Sequence, residues 1–134
     1  MPDINIPIGA RHEKKILVTG DVAINVLGLE DARVLATPHM IGFMEHTARE
    51  LAVQYLEKGY DTVGTEVNIK HLAATPIGMS VTFRAEVLAV NERRVTFRVE
   101  AEDETEKIGE GTHERTVINV ERFATRLAAK IGGK

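Results

Sequence analysis

The stretch from Thr37 to Gly59, TPHMIGFMEHTARELAVQYLEKG, predicts one long amphipathic helix. Its apolar residues recur at intervals of three and four positions, which forms a stripe wide enough to face a core. Thr37 is the predicted N-cap, Pro38 suits the first turn, and Gly59 suits a stop after the last turn. The stripe consists of Met40, Ile41, Met44, Ala48, Leu51, Ala52, Tyr55 and Leu56.

Glu45 interrupts this apolar stripe, because it lies one turn after Ile41 and three residues before Ala48. A desolvated carboxylate costs several kcal/mol, on the order of the penalty for an isolated buried charge, unless another group pairs with it. A locally exposed helix or a structural ion pair would also explain a carboxylate at this position. A partner in the interior would therefore make Glu45 a candidate functional residue.

The composition describes an ordinary globular chain of one domain, residues 1–134, with 43% hydrophobic and 28% charged residues. Its net charge of −3 argues against non-specific nucleic-acid binding, which requires a basic face. The absence of cysteine excludes disulfides, thiolate nucleophiles and zinc–thiolate sites. No run approaches the ~20 apolar residues of a membrane span, and no signal-peptide pattern occurs, so a cytoplasmic location without membrane contact is expected.

Outside the long helix, the sequence predicts mainly β-strands. Residues 1–10 are expected to form a loose arm, because Pro2, Pro7 and Gly9 break regular structure. The other predicted elements are a strand at Lys14–Thr19, a helical turn at Asp21–Leu29, strands at Asp61–Leu72, Met79–Val90, Val95–Ala101 and Lys107–Val120, and a short C-terminal helix over residues 121–131.

The four strands after Gly59 alternate apolar and polar residues with a period of two. Half-buried strands joined by short connections predict an antiparallel sheet that is covered on one face. Because the long helix has the matching apolar stripe, we expect an α+β fold in which a curved antiparallel sheet of about five strands wraps around one long central helix. In the strand after the helix, alternation assigns Val63, Thr65, Val67, Ile69 and His71 to the face toward the helix.

His71 and Glu45 are thus predicted to point into the same layer between helix and sheet. A lone histidine on an apolar face is usually a satisfied core residue, but its coincidence with Glu45 favours a functional acid–base pair as a second interpretation. Such a pair could deprotonate water or activate a hydroxyl that attacks a carbonyl.

Thr37 offers a hydroxyl at the helix start, near backbone N–H groups that could receive an oxyanion, although an ordinary N-cap is the simpler interpretation. In one continuous helix, Thr37 and Glu45 lie about 12 Å apart along the axis. Either the helix begins nearer Gly42, or the site takes residues from a second subunit.

Other histidines and glycines carry weaker signals. His113 has the opposite parity to its polar neighbours and is predicted to be a structural or surface residue. His39 and His46 lie two turns apart without a third ligand, so no metal site is predicted. Gly109 and Gly111, in IGEGTHER, lack the third glycine of a phosphate loop and predict a bulge or a close backbone approach.

Three stretches of the chain, taken together, resemble the fluoroacetyl-CoA thioesterase-like family of hotdog-fold acyl-CoA thioesterases. They are ATPHMIGFMEH, VGTEVNIKHLAATPIGM and EKIGEGTHERTVI, and the similarity covers most of the chain. The resemblance implies a hotdog fold in which Thr37, Glu45 and His71 are catalytic. It also implies that Gly64 and Arg115 lie next to the substrate.

The same resemblance implies hydrolysis of an acyl-CoA thioester to a carboxylic acid and free coenzyme A. It implies a homodimer with active sites at or near the subunit interface, no metal, and no cofactor apart from the coenzyme A of the substrate. Either Glu45 attacks directly to give an anhydride-like intermediate, or Glu45, His71 and Thr37 position a nucleophilic hydroxyl or water.

One departure from the family concerns the acyl group. The fluoroacetyl-selective enzyme has phenylalanines that line a lid before its catalytic threonine, whereas Asn25 to Ala36 contains no aromatic residue. We therefore expect an acyl-CoA thioesterase whose substrate need not be fluorinated. Two alternatives stay open: a non-catalytic hotdog module that binds an acyl-CoA or another small ligand, and an enoyl-CoA hydratase or dehydratase on the same fold.

Overall fold

The structure, a computed structural model, describes residues 4–25, 28 and 32–133. Its elements in chain order are β1 (Arg11–Leu17), a 3-10 turn (Gly20–Val22), β2 (Ala23–Ile24), β3 (Val34–Leu35), α1 (Thr37–Val53), β4 (Tyr60–His71), β5 (Ser80–Asn91), β6 (Arg94–Glu102), β7 (Lys107–Asn119) and α2 (Val120–Gly132). Neither described α-helix is long and apolar enough to cross a membrane.

Five strands form one antiparallel sheet in the order β1–β5–β6–β7–β4, and α1 packs against one face of it. Alternation explains the core, since every second residue from Val81 to Val87 of β5 and from Val95 to Ala101 of β6 is buried while the residues between them are polar. The core side chains include Met40, Met44 and Leu51 of α1 with Phe83 and Phe97 of the sheet. The predicted α+β arrangement of five antiparallel strands around one long helix is confirmed.

The two ends of α1 differ from the prediction. The helix ends at Val53 rather than before Gly59, because the N–H groups of Tyr55 and Leu56 bond to carbonyls only three residues back and the chain continues in turns. At the start, Ala36 occupies the N-cap position and makes no side-chain cap bond. The predicted N-cap role of Thr37 is wrong, because this residue is already helical and its hydroxyl is bonded elsewhere.

A bulge in β4 changes which of its residues face α1. The pairing register with β7 shifts between Gly64 and Glu66, so that Thr65 is an extra residue. One extra residue reverses the alternation. The residues on the helix side are Thr62 and Gly64 before the bulge, and Val67, Ile69 and His71 after it. The prediction that Val63 and Thr65 face the helix is therefore wrong.

The N-terminal segment is packed from residue 4 onward, which corrects the expectation of a loose arm. Ile6 is buried in the core. The Gly9 N–H donates to the Val87 carbonyl, and the Val87 N–H donates to the Ala10 carbonyl, so this segment is hydrogen-bonded to the sheet. Residues 1–3 lie outside the described part of the chain.

The helical turn predicted at Asp21–Leu29 is a single 3-10 turn followed by β2, which pairs with β3. Residues 26, 27 and 29 of that prediction lie outside the described residues. The predicted C-terminal helix is present as α2, but none of its side chains is buried and Leu127 is exposed.

Candidate active site

The start of α1 and the end of β4 bring Thr37 and His71 together. Thr37 Oγ1 lies 2.7 Å from His71 Nδ1. The hydroxyl can donate to this nitrogen only when the nitrogen carries no proton, which is the state in which a histidine can act as a base. Burial lowers the pKa of His71 and so favours its neutral form.

The second ring nitrogen of His71, Nε2, is buried and makes no hydrogen bond of ordinary geometry in the described part of the chain, although the backbone of Ala73 lies near enough to the ring to oppose the lowering of its pKa. Buried polar atoms normally make such a hydrogen bond. We call Thr37 and His71 together the Thr37–His71 pair. Its Nε2 atom is therefore a buried polar atom that is available to another group.

Two glycines of β7 allow α1 and β4 to approach it. A Cβ on Gly109, the cross-strand partner of His71, would lie 2.8 Å from Met40 Sδ. A Cβ on Gly111 would collide with the backbone carbonyl of Asn68. The predicted close backbone approach is confirmed at Gly111, whereas Gly109 leaves room for the side chains of Met40 and Met44.

Glu45 faces the bulge of β4 from the middle of α1. Its Oε2 lies 3.7 Å from Arg115 Nη1 and 3.9 Å from His113 Nε2. A Cβ on Gly64 would lie 2.5 Å from the same oxygen, so glycine is required for the carboxylate to occupy this place. Among the described residues, Glu45 accepts no hydrogen bond, and its side chain is 35% exposed. The carboxylate is thus near a positive charge but free to contact water or a ligand.

Arg115 is 6% exposed and held by hydrogen bonds on three sides. Its Nε donates to Thr62 Oγ1 at 2.7 Å, its Nη2 to the Thr62 carbonyl at 2.9 Å, and its Nη1 lies 3.2 Å from His113 Nε2. Burial lowers the pKa of Arg115, but a guanidinium keeps its proton in proteins. Arg115 also pairs across strands with Gly64, so both residues that the resemblance places next to the substrate adjoin Glu45.

His113 is the site residue that sequence reasoning missed. It is 1% exposed and faces Glu45, so the surface interpretation is wrong. Its position two residues before Arg115 in an alternating strand gives both side chains the same direction. That shared parity is the signal that could have found it.

The structure does not bring Glu45 and His71 together within one chain. Each has its own partners, and in the described part of the chain no hydrogen bond or ion pair joins them. Gly64, beside Glu45, and His71 are separated along β4 by roughly 20 Å of extended chain. Side-chain parity placed both groups in the helix–sheet layer but carried no information about their separation within it. The chain therefore holds the Thr37–His71 pair and, apart from it, a Glu45 cluster of Glu45, Gly64, His113 and Arg115.

No group of three or more His, Asp or Glu side chains within residues 4–25, 28 and 32–133 could hold a metal ion. The absence of a metal from the working protein stays a prediction.

Comparisons with known proteins identify the family. The profile of the fluoroacetyl-CoA-specific thioesterase family matches residues 18–121. The chain belongs to this family. It is 43% identical to the fluoroacetyl-CoA thioesterase of Streptantibioticus cattleyicolor over 101 residues, and this aligned region covers 75% of this chain and 73% of that protein.

Solved structures of the family and of its wider fold agree with this assignment. A structure of the fluoroacetyl-CoA thioesterase has a TM-score of 0.85 and 35% identity, over 94% of this chain and 98% of the other. A thioesterase superfamily member from Thermus thermophilus has a TM-score of 0.82 and 28% identity, over 96% and 98% of the two chains. A hot-dog-like protein from Thermanaerovibrio acidaminovorans shares the fold, with a TM-score of 0.87 over 96% of each chain. The predicted hotdog fold and the predicted class of thioester hydrolase are confirmed.

Proposed function

We propose that this thioesterase hydrolyses a small acyl-CoA to a carboxylic acid and free coenzyme A. The observation that carries the proposal is Glu45, a half-buried carboxylate that accepts no hydrogen bond from the described residues and faces the guanidinium of Arg115. A related fluoroacetyl-CoA thioesterase variant, 36% identical over 87% of this chain, has been solved with fluoroacetate and coenzyme A bound. That no coenzyme besides the coenzyme A of the substrate is needed stays a prediction.

Two routes to hydrolysis fit the residues. In the first, Glu45 attacks the thioester carbonyl carbon, the C–S bond breaks, the thiolate of coenzyme A takes a proton, and water hydrolyses the resulting anhydride. In the second, water attacks the carbonyl directly while a carboxylate or imidazole takes its proton. Thr37 and His71 then either supply the hydroxyl or hold the water. The first route requires an unprotonated Glu45, and the second requires one when the carboxylate is the base.

We propose further that the active protein is a homodimer joined at β4. This strand is an edge of the sheet and pairs only with β7 in the described part of the chain. Its helix-facing Val67 is 43% exposed, although the equivalent positions of β6 are fully buried. An edge strand with an exposed apolar face is a ready template for pairing with a second strand.

Pairing of β4 with its copy would join the two halves of the site. A twofold axis at Asn68, with Thr65 left unpaired as it is against β7, sets His71 of one chain opposite the partner's Gly64. Without the bulge, these two residues would lie on opposite faces of the sheet. In this arrangement the Thr37–His71 pair of one chain meets the Glu45 cluster of the other, and Val67 is covered by the partner's Ile69.

Thiol release from a panel of acyl-CoAs tests the function. The panel contains short, branched, aromatic and halogenated acyl groups, because residues 26, 27 and 29–31 lie outside the described part of the chain and the preferred acyl group stays a prediction. A raised melting temperature with an acyl-CoA but no thiol from any substrate would instead identify a binding module. Loss of enoyl absorbance without thiol would identify a hydratase. The cytoplasmic location also stays a prediction.

A further inference from the structure

We propose that His113 is a positioning residue that keeps Arg115 from closing on Glu45, an inference that rests on the thioesterase function proposed above. His113 is placed to accept a hydrogen bond from Nη1, the Arg115 nitrogen that lies 3.7 Å from the carboxylate. It would thereby hold the carboxylate near a positive charge and leave its oxygens free for the reaction.

The neighbours of His113 determine its tautomer. Its Nδ1 lies 2.8 Å from the carbonyl oxygen of Glu66, which can only accept, so Nδ1 carries a proton. Its Nε2 lies 3.2 Å from Arg115 Nη1, which can only donate, so Nε2 carries none. His113 is therefore a neutral imidazole that donates at Nδ1 and accepts at Nε2. It cannot donate to Glu45 in this state.

The ring of His113 is held in place by three elements. Glu66, which supplies the carbonyl, is the residue directly after the β4 bulge. The ring of Phe97 on β6 is stacked at an angle of 30° to the imidazole, with centroids 6.4 Å apart. Glu45 of α1 approaches from the third side at 3.9 Å. The ring therefore presents Nε2 to Arg115 in one direction.

Without His113, the Nη1 group of Arg115 would have no hydrogen-bond acceptor among its present partners. Nε and Nη2 are both used by Thr62, and this sets the plane of the guanidinium. Nη1 is left between His113 Nε2 at 3.2 Å and Glu45 Oε2 at 3.7 Å. A buried donor that loses its acceptor moves toward another one, and a carboxylate is the strongest acceptor within reach. A direct ion pair would occupy the oxygen that has to attack the substrate or deprotonate water.

Three substitutions of His113 distinguish the role of its donor, Nδ1, from that of its acceptor, Nε2. His113→Asn keeps a donor near Nδ1 and removes the acceptor at Nε2. His113→Gln places an amide oxygen near Nε2, and His113→Phe keeps only the packing on Phe97. The Asn and Phe variants are expected to lower kcat by about tenfold with little change in KM. In these variants Arg115 would donate a hydrogen bond to Glu45, and the carboxylate would then be a weaker nucleophile or base in the chemical step. The Gln variant is expected to recover most of kcat, and His46→Asn, at an exposed position beside Glu45, serves as the control.

Two structural measurements test the inference without reference to activity. Nitrogen chemical shifts of the wild-type His113 ring should show a protonated Nδ1 and an unprotonated Nε2 at neutral pH. A crystal structure of His113→Asn should show Arg115 Nη1 within hydrogen-bonding distance of Glu45. An Nε2–H tautomer, or an unmoved Arg115 with wild-type kcat, would overturn the role of His113. A wild-type protein with the expected tautomer but no thiol release would overturn the proposed function instead.

Discussion

The Thr37–His71 pair and the Glu45 cluster are built in opposite ways. The pair lies where α1 begins, with Thr37 exposed and one nitrogen of His71 without a hydrogen bond of ordinary geometry to the described residues. In the Glu45 cluster, Arg115 and His113 are buried and every nitrogen of the two side chains has a neighbour. The pair offers a hydroxyl and an imidazole but no carboxylate, and the cluster offers a carboxylate and a fixed positive charge. Each region supplies what the other lacks, which favours their use in one site.

The largest effect is expected from Glu45→Gln. The amide cannot act as nucleophile or base, so thiol release should fall by about two to four orders of magnitude. The fold should be kept, because no hydrogen bond from the described residues depends on this carboxylate. Stopped or continuous thiol assays measure the change, and a melting curve checks the fold. A wild-type rate of thiol release in this variant would show that the carboxylate has no part in the mechanism.

His71→Ala should reduce thiol release by about two orders of magnitude or more, since it removes the base of the Thr37–His71 pair. Thr37→Ala should also reduce the rate, while Thr37→Ser, which keeps the hydroxyl at 2.7 Å from the imidazole, should retain more of it. Equal rates for the Ala and Ser variants would show that the hydroxyl has no part in the reaction.

Gly64→Ala tests the packing of the Glu45 cluster. The new Cβ, 2.5 Å from Glu45 Oε2, would displace the carboxylate, and a displacement of this kind is expected to cost on the order of tenfold to a hundredfold in kcat. Gly42→Ala is the matched control, because a Cβ at this α1 position meets no atom within 4 Å. The control should keep its activity and gain up to about 1 kcal/mol of stability as a helix-interior Gly→Ala change. Equal activity in both variants would contradict the placement of Glu45.

Thr62→Val removes one acceptor of Arg115 and should have a smaller effect. The Nε–H group of Arg115 loses its bond to Thr62 Oγ1, and leaving a buried donor unpaired costs about 1–3 kcal/mol of unfolding free energy. Activity should fall by only a few-fold, because Nη2 keeps its bond to the backbone carbonyl of the same residue. Urea unfolding and thiol release measure the two effects, and an unchanged unfolding free energy would show that water replaces the lost acceptor.

The smallest effect concerns pH. Burial lowers the pKa of both His71 and His113 below the ordinary value of 6.5. The unfolded chain therefore binds more protons than the folded one just below pH 6.5, and the unfolding free energy should decline as the pH falls through this window. Arg115 and the carboxylates of Glu45 and Glu114 are the charged groups around His113. His113→Gln should weaken the decline, and an identical pH dependence would contradict the neutral buried state of this ring.

The spacing of apolar residues predicted the helix and strands that carry the site, because this spacing reflects which side chains are buried. Met40, Met44 and Leu51 recur at helical spacing, and Phe83 and Phe97 alternate with polar neighbours, so the helix–sheet layer followed from the sequence. The resemblance supplied Gly64 and Arg115, and both lie beside Glu45.

The arrangement inside that layer was not available from patterning. Alternation gives the face of a residue and not its distance along the layer, so it could not show that Glu45 and His71 lie in separate clusters. The bulge at Thr65 reverses the alternation. Gly64 directly before it is a hint, because a glycine inside a strand often marks a bulge, but a glycine alone does not fix which residue is left unpaired. The role of His113 depends on the carbonyl that this bulge directs toward it, which is a tertiary contact.

Mixing the inactive Glu45→Gln and His71→Ala proteins tests the shared site most directly. In a mixed dimer, one site combines an intact His71 with the partner's intact Glu45, so random reassembly should restore about one quarter of wild-type thiol release per chain. Differently tagged chains verify that mixed dimers form. Recovery near that level would establish that the two regions act together across the subunit interface. Mixed dimers with no more activity than either parent would contradict the account.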